Sequence, residues 1–441
     1  MASTKNALLE FLGLGDVDAL FTDIPPELRV EGLDLPHGLS EAETVQKVSR
    51  ILERNRTTGE MTSYLGAGYY DTYVPSLVDA ILARSEFYTS YTPYQAELSQ
   101  GLLQALFEFQ SLVCELTGMA AANSSMYDAS TALGEAALMA HRITGKGEIV
   151  IPVLLSEDKK AVLANYAQGP GLRVREAGYD EEDGTLDFDH LGELVGKDTA
   201  AVYVEVPNYL GQLDAKVPEV RAAFPDALLI VGIHPLAQAV VRPPGDYGAD
   251  IVIGEGQALG GWMNFGGPSL GLFACRRDHI RKMPGRVIGL TKDLQGARAF
   301  TMTLQTREQH IRKGRAMSNI CTNESLLAVG AAVYLAYLGA RGLRALAGEL
   351  MDHARDLMGH IDGVSGFRAP LFPGSYFNEF PVGHQIPHAT LQERLMARGL
   401  SGGVDLSPAL PQVAPASLFA VTDRHTLDDF QELVRALEAP K

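Results

Sequence analysis

Apolar and polar positions change period several times along the chain, and each change marks an element. Strand-like apolar runs at Glu148 to Leu155, Thr199 to Val206, Ala227 to Ile233, Asp250 to Ile253 and Leu270 to Ala274 alternate with helical or turn segments. This rhythm predicts an α/β domain on a largely parallel sheet, since parallel strands need a crossover between them. Leu98, Leu102, Leu106, Phe109 and Val113 fall at helical spacing, so a core-facing helix is expected after Pro93. Leu133, Ala136, Ala137 and Ala140 mark a second helix. Residues from about 305 to 360 read as mostly helical, with Leu326, Leu327, Val333 and Leu338 in one apolar set and Leu343, Leu346 and Leu350 in another. A smaller α/β portion closes the chain, marked by Tyr376 to Phe380, a helix from Leu391 to Leu400, Gly402-Gly403, the run Leu418 to Val421 and a final helix from Leu427 to Leu437.

Ahead of these lie short helices broken by prolines: Lys5 to Leu12, a turn through Pro25-Pro26, and Ser40 to Asn55, with Glu41 and Glu43 complementing the helix dipole. The expected division is an N-terminal helical arm over 1–60, a large α/β domain over 61–325, and a connecting helix with a small C-terminal domain over 326–441. Such an arm is suited to wrapping a neighbour.

Composition narrows the class. With 441 residues, 46% hydrophobic and 21% charged, the chain has the balance of a globular protein of more than one domain. Its net charge of −17, with no basic stripe, argues against a nucleic-acid partner. Cys114, Cys275 and Cys321 are far apart and lack CxxC spacing, so neither a disulfide framework nor a metal site is expected. A reducing compartment, the cytoplasm, follows. The N-terminus shows no leader pattern and no run of about 18 apolar residues is apparent, so neither secretion nor a membrane partner is expected.

Two polar loops stand directly before helical patterns. Tyr91-Thr92-Pro93-Tyr94-Gln95-Ala96-Glu97 packs two tyrosines, an amide and a carboxylate together, and Asn123-Ser124-Ser125-Met126-Tyr127-Asp128 precedes the second helix. Backbone amides at a helix start favour anions, phosphates included. Each loop also has a plainer reading: tyrosines packed at a turn in the first, ordinary helix-capping residues in the second.

Gly66-Ala67-Gly68-Tyr69-Tyr70-Asp71-Thr72-Tyr73-Val74-Pro75, the Tyr91 to Gly101 segment, Asn123 to Asp128, Gly254-Glu255-Gly256-Gln257, Phe265-Gly266-Gly267-Pro268 and Arg307 to Arg312 running on to Asn323 together resemble the glycine decarboxylase P-protein family. They do so in order and across nearly the whole chain, which is similar to subunit 1 of the two-subunit form. The resemblance implies a fold-type I, pyridoxal-phosphate-dependent transferase-like fold. It implies the decarboxylation of glycine as its pyridoxal phosphate aldimine, release of carbon dioxide and transfer of the aminomethyl group to the lipoyl arm of H-protein. The partners implied are P-protein subunit 2, lipoylated H-protein and glycine, in an α2β2 heterotetramer.

Enzymes of this type hold the cofactor through a lysine after a late strand. Asp250 to Phe273 contains no lysine, and Val231-Gly232-Ile233-His234 lacks the acid that pairs with the pyridine nitrogen in relatives. Lys292 and Lys313 read as solvated residues in charged, helical surroundings. The lysine is therefore expected from the partner, which would hold the cofactor covalently. Tyr91, Tyr94, Gln95 and Glu97 become the catalytic candidates, supporting the partner's site, and Asn123, Ser125, Tyr127, Asp128 and His234 the remnant cofactor-binding candidates. Tyr69, Tyr70 and Tyr73 could line a channel or simply pack at a bend, and His310 and Arg312 are as well a solvated face as an anion site. Ala96 stands where relatives tend to have proline. Two other readings stay open: a non-catalytic scaffold or regulatory homologue, and a stand-alone pyridoxal phosphate lyase with a displaced lysine.

Overall fold

The computed structural model describes residues 2–438 apart from 31 and 414. Two compact units emerge, Met1–Thr57 and Thr58–Lys441. In the first, helices Ala2–Leu12 and Glu41–Leu52 are joined by short turns, and Ser40 and Glu43 close a reciprocal capping box at the second helix. No described residue of this unit is buried, and Phe11, Leu28, Val30, Leu33 and Leu35 are exposed.

The second unit is built on a seven-stranded sheet. After the short strand β1 (Thr62–Ser63) come β2 (Ala121–Ala122), β3 (Glu148–Pro152), β4 (Arg173–Ala177), β5 (Thr199–Val206), β6 (Leu228–Ile233), β7 (Ile251–Glu255) and β8 (Gly271–Cys275). The sheet order is β2-β8-β7-β6-β5-β3-β4, parallel except for β8, which runs against both its neighbours. Alternate residues serve opposite faces. Val150, Val202, Val204, Val231 and Val252 pack with the helix Gln100–Thr117, while Ile149, Ile151, Tyr203, Ile230 and Ile253 pack with the helix Ala129–Thr144.

The hairpin β9 (Val287–Lys292) and β10 (Arg298–Thr303) lies against the helix Gln100–Thr117, where Gln110 bonds the backbone of Ile288 in both directions and Gln100 that of Phe300. A four-stranded antiparallel sheet ordered β11 (Phe367–Arg368), β12 (Glu379–His384), β15 (Ala416–Ala420), β14 (Val404–Asp405) forms the smaller layer, and β13 (Leu400–Ser401) pairs with β1.

Several expectations need correction. The helix after Pro93 begins only at Gln100, and Leu98 is 79% exposed rather than core. Residues 305–324 form short turns instead of a continuous helix, with Leu304 and Lys313 at positive φ. Lys292 ends an exposed strand and is not helical. The long helix Ser325–Asp362 does contain a stretch long and apolar enough to cross a membrane, contrary to the expectation that none exists. Its Ala328, Val329, Ala331, Ala332 and Leu335 are buried, against helices Gln100–Thr117 and Ser76–Leu82 among others. The change of apolar set between Leu338 and Leu343 coincides with a break at Gly339, whose φ is +59°.

Candidate active site

Strands β5, β6 and β7 end side by side, and in such sheets that edge gathers functional groups. Around it closes a cavity of about 60 Å³, lined by Glu205, Gly232, His234 and Glu255 from the strand ends, with Lys159, Tyr70 and Glu379 brought in from elsewhere. This is room for on the order of two waters, far below the roughly 300–1,000 Å³ of an ordinary ligand pocket.

Its polar groups bond each other. Glu205 Oε1 accepts from the Tyr203 hydroxyl at 2.6 Å and pairs with Lys159 Nζ at 2.5 Å. Burial, the largest single influence, would lower the Lys159 pKa, but Glu205, with Asp158 and Glu255 beside it, together outweigh it and the net shift is upward. A lysine held protonated is a poor amine nucleophile, which argues against Lys159 as a displaced Schiff-base residue. Glu379 accepts from the Tyr70 hydroxyl and from Ala67 N, each at 2.9 Å. Gln257 exchanges hydrogen bonds with the backbone of Tyr70 at 2.9 Å each way and donates to Gly261 O at 2.8 Å.

Glu255 and Glu379 are both pushed up to about 7, chiefly by burial. The folded chain thus binds more protons than the unfolded one between the ordinary 4.5 and about 7, and stability is lost as pH rises through that window. Unfolding free energy is expected to fall by about 3 kcal/mol per group from pH 5 to 8. Glu379→Gln, which leaves Lys159, Glu205 and Tyr70 in place, should remove about half of that slope. Urea titrations at a series of pH values measure it, and an unchanged slope in the variant would refute the assignment to Glu379.

His234 is neutral: burial drives its pKa down to about 3, both ring nitrogens lack a partner, and the ring lies 5.1 Å from that of Tyr70 and 4.9 Å from that of Phe377. It lines the cavity, but its ring makes no hydrogen bond. Asn123 Nδ2 donates to Pro284 O at 3.1 Å, and Ser125 Oγ accepts from Asn323 Nδ2 at 2.9 Å. Asp128 caps the helix Ala129–Thr144 through Thr131 N at 2.6 Å, and Tyr127 is partly exposed. These loop residues are thus committed to bonds within the protein or turned outward, and none of the four lines the cavity.

The Tyr91–Glu97 loop lies elsewhere, on the surface. The Tyr94 hydroxyl accepts from Arg286 Nη2 at 2.9 Å while the guanidinium stands 5.3 Å from the ring centre, and Arg286 Nη1 donates to Thr92 Oγ1. Tyr91 shares a hydrogen bond with Thr322 at 2.8 Å, whereas Gln95 and Glu97 are exposed. Glu308 lies 3.7 Å from Arg286 and 3.6 Å from His310. The candidates are therefore spread over different places: His234 at a small cavity, Asn123, Ser125, Tyr127 and Asp128 in the loop beside it, and Tyr91, Tyr94, Gln95 and Glu97 on an open surface. Sequence reasoning missed Lys159, Tyr203, Glu205 and Arg286. A carboxylate inside the otherwise apolar runs of β5 and β7 was the available signal.

Pyridoxal phosphate does not fit these residues. The turn after β7, where a Schiff-base lysine would stand, carries Gln257 with both ends of its amide bonded. A Cβ on Gly232 would overlap the Tyr203 hydroxyl, so an acid cannot occupy that position while Tyr203 fills it. Glu255 blocks the start of the neighbouring helix, accepting from Ala129 N at 3.1 Å.

Fold and site define a fold-type I transferase-like scaffold in which the ends of β5, β6 and β7 are filled by the chain's own side chains. The model for the glycine cleavage system P-protein matches residues 1–437. Similar curated proteins are probable glycine dehydrogenase (decarboxylating) subunit 1 of Thermococcus kodakarensis, 45% identical and covering 98% of this chain and 96% of that protein, and of Carboxydothermus hydrogenoformans, 43% identical over 98% and 96%. A crystal structure of glycine decarboxylase (P-protein) in inhibitor-bound form superposes with a TM-score of 0.91 at 37% identity, over 99% of this chain and 98% of that one. A sphingosine-1-phosphate lyase from Burkholderia pseudomallei, at TM-score 0.63 and 16% identity over 93% of this chain and 94% of its own, shares the fold alone. The chain belongs to the glycine cleavage system P-protein family. Its role is that of the glycine-decarboxylating, oxidoreductase-type enzyme of that system.

Proposed function

We propose that this chain is the lysine-free half of a two-subunit glycine decarboxylase. A partner subunit supplies the lysine and holds pyridoxal phosphate, and the pair releases carbon dioxide from glycine and passes the aminomethyl group to the lipoyl arm of H-protein. The observation that carries the reading is Gln257, an amide locked by three hydrogen bonds in the turn where the lysine would stand. The subunit-1 designation of the relatives supports a second subunit.

This chain's contribution falls to the surface of Tyr91, Tyr94, Gln95 and Glu97, where the Arg286 guanidinium fixes the Tyr94 hydroxyl. Residues 1–57, which expose Phe11, Leu28, Val30, Leu33 and Leu35 and have no buried position among the described residues, suit a packing role against the partner. An α2β2 assembly in the cytoplasm completes the proposal.

The test is borohydride reduction with pyridoxal phosphate, on this chain alone and mixed with subunit 2. The expected result is no label on this chain, and glycine-dependent carbon dioxide exchange only in the mixture. A labelled lysine here would overturn the reading. In the mixture, Tyr94→Phe is expected to lower exchange roughly tenfold or more with assembly intact. Unchanged exchange would favour the scaffold reading of this surface.

A further inference from the structure

Glu255 ends β7, and its carboxylate lies against the first turn of the 16-residue helix Ala129–Thr144. Oε2 accepts from Ala129 N at 3.1 Å. Oε1 accepts from Gln257 N at 3.0 Å, from Leu270 N at 3.3 Å and from the Ser269 hydroxyl. The residue is 9% exposed. Helix-start and loop amides with a hydroxyl, converging on one buried negative group, are the donor set that a phosphate monoester takes in cofactor enzymes.

A buried carboxylate is costly unless donors surround it. Here the donors work against burial, which still holds the pKa at about 7, so the group carries negative charge above neutral pH. The approach is close on every side: a Cβ on Gly271 would meet Asp128 O at 2.5 Å and Met126 Cβ at 2.6 Å, and one on Gly256 would meet Leu270 O at 2.9 Å. The polar loop Asn123–Asp128, the helix start and the turn after β7 are thus drawn together around this one side chain.

We propose that Glu255 is a built-in replacement for the cofactor's phosphate: its carboxylate fills the anion slot at the start of helix Ala129–Thr144 and keeps this chain from taking pyridoxal phosphate itself. Gln257 removes the covalent anchor, and Glu255 removes the electrostatic one. The inference rests on the reading that the partner holds the cofactor, but its test needs only this chain.

The full chain and its Glu255→Ala and Glu255→Gln variants are heated at pH 8 in inorganic phosphate up to about 20 mM, against chloride at equal ionic strength. The wild type should unfold at the same temperature in both. Glu255→Ala should unfold several degrees lower in chloride and recover saturably in phosphate, whereas Glu255→Gln, whose slot stays filled, should not recover. Should Glu255→Ala fold only in phosphate, the proposal is supported. If it fails to fold in either, or folds and ignores phosphate, the proposal is overturned, as it is if wild type and variant respond alike. A borohydride label on the wild-type chain would sink the two-subunit reading while leaving this comparison unaffected.

Discussion

Gly211→Ala is expected to cost about 4 kcal/mol, a large part of the stability of an ordinary domain. Gly211 sits at φ +81°, and a Cβ there would overlap the backbone carbonyl of Glu379. Left-handed backbone costs a non-glycine residue roughly 1–2 kcal/mol, and the steric overlap adds to it. The obstacle is main chain, so no rotamer relieves it. At this point the large domain touches the smaller sheet: Phe377 N donates to Gly211 O at 3.0 Å, Leu213 N donates to Ser375 O at 2.8 Å, and Gln212 bridges to Tyr376. Urea unfolding of the variant measures the loss. Gly192→Ala, within the helix Phe188–Leu194 and with open space around its Cβ, is the matched control and should gain about 0.5–1 kcal/mol. Equal stabilities for the two variants would show that the Gly211 approach is slack.

Lys159→Met is the other large effect. It leaves Glu205, 8% exposed, without its cation, and breaking a buried pair from one side costs roughly 3–5 kcal/mol. The Tyr203 hydroxyl still donates to Glu205, but a neutral donor does not replace an ammonium at 2.5 Å. Adding Glu205→Gln removes the stranded charge, so the double variant should regain most of what the single one loses. A double-mutant cycle measures this coupling. A coupling energy near zero would mean the pair is solvated.

The central sheet was legible because its strands are buried on both faces, so β3, β5, β6, β7 and β8 read as continuous apolar runs. Strand β4 escaped because it is an edge, with Arg173, Arg175 and Glu176 exposed. The β9–β10 hairpin escaped because only one face of it meets the helix Gln100–Thr117. Residues 305–324 looked helical by spacing, yet Arg307 donates its guanidinium to the backbone carbonyls of Met283, Leu304 and Gly285, holding the segment in turns that local propensity does not encode.

At the site, the missing lysine was readable as an absence. What replaces it was not, because Gln257 meets Tyr70 across 187 residues and Glu255 meets Ala129 across 126. The Tyr91–Glu97 motif was conspicuous as composition, but nothing in it says that its partners are Arg286 and Thr322.

The tyrosine seated over Gly232 also bears on how such a chain can change over generations. Recovering a working centre would take a lysine for Gln257, a smaller residue for Glu255, an acid for Gly232 and a smaller side chain for Tyr203 to make room for it. Taken singly, the first breaks three hydrogen bonds, the second leaves four donors without an acceptor, and the third forces a clash. Each first step back is uphill, so mutation acts as a ratchet, and a cofactor-free interior, once repacked in this way, tends to persist.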